Sequence, residues 1–211
     1  MQKICLLFLV VFISILTGCQ TFVPIKVYKE DLIKPTAPTN INITMLSKAK
    51  DMRSQFHNQV GRHTISLLMV PGPIVESEQE PLDVAIANRV KESLRSFGYT
   101  ITTVDKLDQA NGPVLVVQID DLRNYLFSWI YPLGVVWGKM QLSLHLMTPD
   151  AKLLWKTNLE GGGGIMPSFL YMCGFETRVT SDLTKNMNQL ITALSSNEFR
   201  EQHQNAQQIN R

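Results

Sequence analysis

Three thiols, four imidazoles and the adjacent carboxylates of Asp120 and Asp121 are groups in this 211-residue chain whose types could support chemistry. The thiols are Cys5, Cys19 and Cys173, and Cys19 follows Leu16, Thr17 and Gly18 at the close of an apolar stretch. The imidazoles, His57, His63, His145 and His203, are scattered. No HExxH or Cys/His pair supplies metal-ligand spacing. Ser128, Ser143 and Ser168 lack a GxSxG elbow, so no activated nucleophile is expected among them. Asp120 and Asp121 are neighbours on an expected strand, where successive side chains point to opposite faces. They could share general acid–base work only if a bulge re-aimed one of them. Gly161–Gly164 is followed by an apolar segment and not by Lys-Ser/Thr, so it reads as a loop or strand-end bulge, not a phosphate cradle. No cofactor, no metal and no enzymatic activity are expected.

The charge balance points the same way. Twenty Lys and Arg against eighteen Asp and Glu give a formal charge of +2. A near-neutral chain has little grip on a phosphate backbone, so nucleic acid is not an expected partner. A hydrophobic content of 45% with 18% charged residues suits a folded domain.

Lys3 and the apolar stretch Ile4–Leu16, interrupted only by Ser14, have the form of a secretory leader. The stretch is too short to span a bilayer, which needs roughly 20 apolar residues. Its last residues, Leu16-Thr17-Gly18-Cys19, resemble the lipobox of bacterial lipoproteins. The resemblance implies removal of residues 1–18, acylation of Cys19 and attachment to a membrane outside the cytoplasm. Gln20, where an Asp would imply inner-membrane retention, implies the outer membrane facing the periplasm. Cys5 would leave with the leader and Cys19 would become a thioether. Cys173 then has no intramolecular partner and reads as a buried thiol.

These groups need elements to hold them. Residues 19–41, with Pro24, Pro35 and Pro38, read as an extended tether. Met45, Ala49, Met52, Phe56 and Val60 recur every three or four residues, which predicts an amphipathic helix over 42–61, ended by Gly61. The domain proper is expected over 62–197. Thr64–Val70 predicts a strand stopped by Pro71-Gly72-Pro73. Pro81 opens a helix with Leu82, Ile86, Val90 and Leu94 inward and Gly98 beyond its end. Strands follow at Tyr99–Val104 and from Val114 toward Trp129. Gly138–Met147 alternates, with Met140, Leu142, Leu144 and Leu146 on one face and Lys139, Gln141, Ser143 and His145 on the other. A strand over Lys152–Glu160, a break at the glycines and a helix over Val179–Leu194 complete the domain. Residues 198–211 read as a polar, frayed tail.

The βαββββα order predicts a single two-layer α+β domain, with a mostly antiparallel sheet, helices on one face and a parallel first βαβ unit. Together with the lipobox, this plan resembles small envelope lipoproteins such as the YajG-like proteins and, more loosely, the auxiliary lipoproteins of lipid-transporting ABC systems.

Two segments are more apolar than connections usually are: Tyr125–Trp137 and Ile165–Phe175. A meander would bring both to one end of the domain. Trp129, Tyr131, Leu133, Phe169 and Tyr171 there form either a contact surface or the closed end of the core. The expected function is that of a non-enzymatic accessory or docking subunit of an envelope complex, held to the membrane by its lipid and meeting a protein partner. The alternative is a lipid-binding or lipid-shuttling module with an apolar groove.

Overall fold

A strand separates the two sets of alternating residues between Gly138 and Met147 onto opposite faces, as no helix could. In the computed structural model, which describes residues 22–34, 41–54, 57–65, 70–130, 133–169 and 173–209, this stretch belongs to β8, Leu133–Met147. The other strands are β1 Phe22–Val23, β2 Asn42–Leu46, β3 Lys50–Asp51, β4 Gln59–Ile65, β5 Val70–Ser77, β6 Thr100–Val104, β7 Val114–Ile130 and β9 Leu153–Phe169. The helices are α1 Leu82–Ser96, α2 Cys173–Leu194 and α3 Asn197–Ile209.

One mixed sheet contains all nine strands. β7 is its axis. Along one edge β7 pairs in parallel with β2, β3 and β4 in turn; along the other it pairs antiparallel with β8, which pairs antiparallel with β9. β6 extends the sheet parallel to β2, β5 is antiparallel to β4, and β1 is parallel to β5. The longest ladders are the antiparallel ones of the β7–β8–β9 meander. Ile86, Val90 and Leu94 of α1, Leu183, Met187 and Leu190 of α2, and Phe199 of α3 share one core with Leu115, Val117, Leu142 and Leu144 of the sheet. The fold is therefore the expected single α+β domain with its helices on one face, here named the inner face.

Several elements differ from expectation. No helix forms among the described residues of 42–61; β2 and β3 occupy it, and β4 begins within it. Ile43 and Met45 are buried while Asn42, Thr44 and Leu46 are not, so this stretch obeys period two and pairs with β6 and β7. Phe56 lies outside the described residues. The strand placed at Thr64–Val70 is split between β4 and β5, and Pro71 and Pro73 lie inside β5. Prolines fit there because β1 pairs only with Glu76 and Ser77, leaving that part of β5 an edge. β5 runs opposite to β6, so the expected parallel βαβ crossover is replaced by the β4–β5 hairpin. β8 starts earlier than its alternation suggested, and β9 runs through Gly161–Gly164 instead of stopping there. Ser143 is buried and His145 half-buried on a face expected to meet solvent. Ser143 is short and lies in register between the longer Gln118 and Asn158.

The described part of the tether is a strap over the helix layer. Val23 and Ile25 are buried, and Val27 and Leu32 pack on the core. Arg89 of α1 donates from Nε to the Ile25 carbonyl at 2.7 Å. On α2, Thr184 Oγ1 accepts from the Tyr28 amide at 3.0 Å and Asn188 Oδ1 from the Ile33 amide at 2.8 Å. Residues 22–34 are thus held by side chains of two helices.

The tail is also corrected: α3 is a helix over most of it. Phe199, His203 and Ala206, spaced four and three apart, are its buried stripe. Burial holds the His203 imidazole below its ordinary range, more than the Asn42 backbone contact raises it. The unfolded state therefore binds the proton more readily, and stability rises with pH across that interval. The stabilisation from the neutral ring is fully present above the unfolded pKa, about 6.5, and falls away below it. Amide exchange in α3 should accelerate between pH 7.5 and pH 5 relative to α1, after correction for intrinsic rates. A pH-independent ratio would contradict this.

Candidate functional site

The outer face of the sheet, opposite the helices, is set by one β-bulge. The β7–β8 register passes from Ile119↔Leu142 to Asp121↔Gln141, so Asp120 is the extra residue. Before it, Leu115, Val117 and Ile119 point into the main core; after it, Leu122, Asn124 and Leu126 are buried and Asp121, Arg123, Tyr125 and Phe127 take the outer side. The parity switch turns Tyr125 outward.

A row of register partners then crosses the sheet: Ile74 on β5, Arg62 on β4, Tyr125 on β7, Trp137 on β8 and Ile165 on β9. Ile74, Tyr125, Trp137 and Ile165 are 39%, 36%, 37% and 71% exposed, and Arg62 is exposed. Four strand spacings of about 4.8 Å make the row roughly 20 Å long. Tyr125 and Trp137 stack at 5.8 Å between ring centroids. Arg123 and Lys139 are register partners one step away on the same face. Both pair with Asp121, at 2.6 and 2.7 Å. A shallow groove bounded by Arg123, Trp137, Lys139 and Ile165 opens to solvent here.

The bulge is the one that could have brought Asp120 and Asp121 together, but Asp121 is committed to its cations. Burial tends to raise its pKa; hydrogen bonds and charge from Arg123 and Lys139 outweigh that and hold the carboxyl below its usual range. It is an ion-pair acceptor, not a proton shuttle. The buried guanidiniums are equally occupied. Arg53 donates to Asp51 and to the carbonyls of His57, Gln59 and Leu122, which uses all of its N–H groups. Arg178 bonds Asp182 and the carbonyls of Gly138, Gly163 and Gly164. These are structural clasps. Among the described residues, no group of three or more His, Cys, Asp or Glu could hold a metal, and no helix is long and apolar enough to cross a membrane.

Of the residues expected at a contact surface, Tyr131 and Tyr171 lie outside the described residues, as does Cys19. The backbone brings Leu133 and Phe169 into register at the ends of β8 and β9, with Ile130 opposite Leu133 and Trp129 at a second irregularity of the β7–β8 ladder. The two apolar segments therefore meet at one end of the meander, here named the tip. Strand parity divides their side chains: Leu126, Val136 and Phe175 close a small core with Val23 and Val75 on the inner side, while Tyr125, Trp137 and Ile165 face outward. The cross-strand row was missed because it links five strands. Its local signal was nevertheless present in β8, where Trp137 continues the parity of Lys139 and Gln141.

No family model and no curated protein matches the chain. Solved structures do. A Xanthomonas campestris protein of family DUF330 superposes with a TM-score of 0.51 at 11% identity, covering 81% of this chain and 95% of its own. A Helicobacter pylori protein described as a neuraminyllactose-binding hemagglutinin homolog superposes at 0.50 with 8% identity, covering 83% and 97%. At such identities the likeness concerns the fold, and over nearly the full length of both structures the chain shares it.

Proposed function

We propose that this chain is a lipid-anchored envelope lipoprotein of the outer membrane, facing the periplasm, and that it acts as a non-enzymatic accessory subunit. The lipobox-like Leu16-Thr17-Gly18-Cys19 after a short apolar leader carries this reading. The strap supports it. Cys19 stands three positions before Phe22, a reach of about 10 Å for extended chain. From Phe22 onward the polypeptide is tied to the sheet and helices. A lipid on Cys19 would hold the domain close to the bilayer instead of letting it range on a long linker. Asp121, Arg53 and Arg178 are engaged in structural pairs, which suits a binding role better than a catalytic one. The meander's apolar tip fits the same role.

Three acyl chains, at about 0.8 kcal/mol per buried methylene, exceed what stable anchoring requires. Metabolic labelling with an alkyne fatty acid should mark the wild-type chain and leave Cys19→Ala unmarked. Fractionation should place the wild type with the outer membrane. Equal labelling of the two would overturn the assignment of Cys19. Affinity purification from detergent-solubilised envelopes should recover a stoichiometric protein partner; recovery of lipid alone would favour the lipid-shuttling alternative.

A further inference from the structure

We propose that the tip half of the outer sheet face, with Ile74, Tyr125, Trp137 and Ile165 among Arg62, Arg123 and Lys139, rests on the headgroup region of a phospholipid bilayer. The inference deepens the lipoprotein reading by naming what covers this face.

Three observations lead there. First, most of the large apolar side chains exposed on the described part of the molecule share this face: Phe22, Ile74, Tyr125, Trp137 and Ile165, with Phe22 in register with the outward Glu76. The row is flat and shallow, and it presents tyrosine and tryptophan, whose rings favour the interfacial layer of a membrane. Second, long basic side chains frame it. Arg62 lies within the row and Arg123 and Lys139 beside it, balanced by the carboxylates of Asp121, with which Arg123 and Lys139 pair, of Asp120 at the bulge, of Glu160 opposite Gln141 and of Glu76 beside Phe22. Long basic side chains can reach lipid phosphates while their stems cover apolar surface. Third, the direction of the chain agrees. β4 and β7 run toward the tip, β5 runs away from it, and β1 is parallel to β5. β1 therefore starts at its tip-side end with Phe22 on the outer face, and Cys19 stands only three residues earlier, a reach of about 10 Å for extended chain.

The consequence is an orientation. With the outer face on the bilayer, α1, α2 and the strap point into the periplasm, where a protein partner would meet them.

The test uses the full chain, purified in detergent and reconstituted into vesicles of phosphatidylethanolamine and phosphatidylglycerol, with or without bromine on the acyl chains near the headgroups. Subtracting the emission of Trp137→Phe from that of the wild type isolates Trp137, and the variant keeps an aromatic ring against Tyr125. The expected result is loss of most of that difference emission in brominated vesicles, in phosphatidylcholine vesicles as in anionic ones. An anchored protein whose difference emission ignores the bromine overturns the proposal. So does self-association in sedimentation that Ile165→Ser abolishes, which would make a second copy the occupant. Mass analysis of the peptide containing Cys19 separates the two readings: an unlipidated cysteine with quenching intact would remove the anchor and leave the surface standing.

Discussion

Replacing Arg178 with Met should lower stability by about 3–5 kcal/mol, because it leaves a buried carboxylate without its partner. The Arg178 and Asp182 side chains are 2% and 1% exposed and bond at 2.8 Å one turn apart on α2. Burial pushes the Asp182 carboxyl up, against the lowering pull of Arg178 and, more weakly, Lys185. Removing the guanidinium removes the main opposing influence, and the carbonyls of Gly138, Gly163 and Gly164 lose a donor as well. In thermal unfolding a domain of this size should melt on the order of 10 °C lower. The pH dependence identifies the cause. A carboxyl whose folded pKa is raised keeps its proton longer in the folded state, so its destabilising contribution at neutral pH fades as pH falls through that value. The deficit of Arg178→Met should therefore shrink toward acid pH, and the double variant Arg178→Met, Asp182→Leu should recover much of it. A deficit that is constant with pH and persists in the double variant would assign the loss to the glycine carbonyls instead.

That clasp also explains why β9 was only partly legible in the sequence. Four consecutive glycines look like a break, and Gly162, Gly163 and Gly164 do adopt positive φ, which non-glycine residues rarely take. The strand nevertheless continues, because the register slips by one extra residue between Trp137↔Ile165 and Lys139↔Gly162 and Arg178 takes up the carbonyls of Gly163 and Gly164 from α2. The compensating group lies on another element and leaves no local trace. Where the determinant was local, it could be read. Pro81 and Gly98 bracket α1, with Gly98 at φ 88°, and the alternation of β8 sorts Met140, Leu142, Leu144 and Leu146 into the core. The stretch over 42–61 failed for a different reason. A spacing of four, as from Met45 to Ala49, is compatible with both periods, whereas the step of three to Met52 is not and Met52 is exposed; the partners that decide for strand, β6 and β7, come later in the chain. The outer-face row depended on the Asp120 bulge, which reverses parity within β7; nothing in Ile119-Asp120-Asp121-Leu122 announces it.

Phe199→Ala should cost about 3–5 kcal/mol, the range for emptying a buried phenylalanine site, and should detach α3. The expectation runs against the polar character of this stretch, in which only Phe199, His203 and Ala206 among the described side chains are buried. Phe199 is fully buried in the main core, edge-on to Trp155 at 5.0 Å and stacked with His203 at 5.7 Å. Aromatic pairs of this kind add about 0.5–1.5 kcal/mol to area burial. Ser196 caps the helix through the Phe199 amide, at 3.3 Å, but that contact belongs to the backbone and survives truncation. The alanine variant would thus lose the packing that α3 depends on while keeping its start signal. The comparison is Gln204→Ala, an exposed position on the same helix, where a change within about 0.5 kcal/mol is expected. Thermal unfolding and amide exchange together decide how α3 is coupled to the domain. If the helix is part of the cooperative unit, Phe199→Ala lowers the melting temperature and raises exchange throughout β9 and α1. If it is a separate unit that opens alone, exchange rises only within α3 while the melting temperature hardly moves. The position of Phe199 against Trp155, on a strand whose neighbours Leu144 and Leu146 are wholly buried, predicts the first outcome.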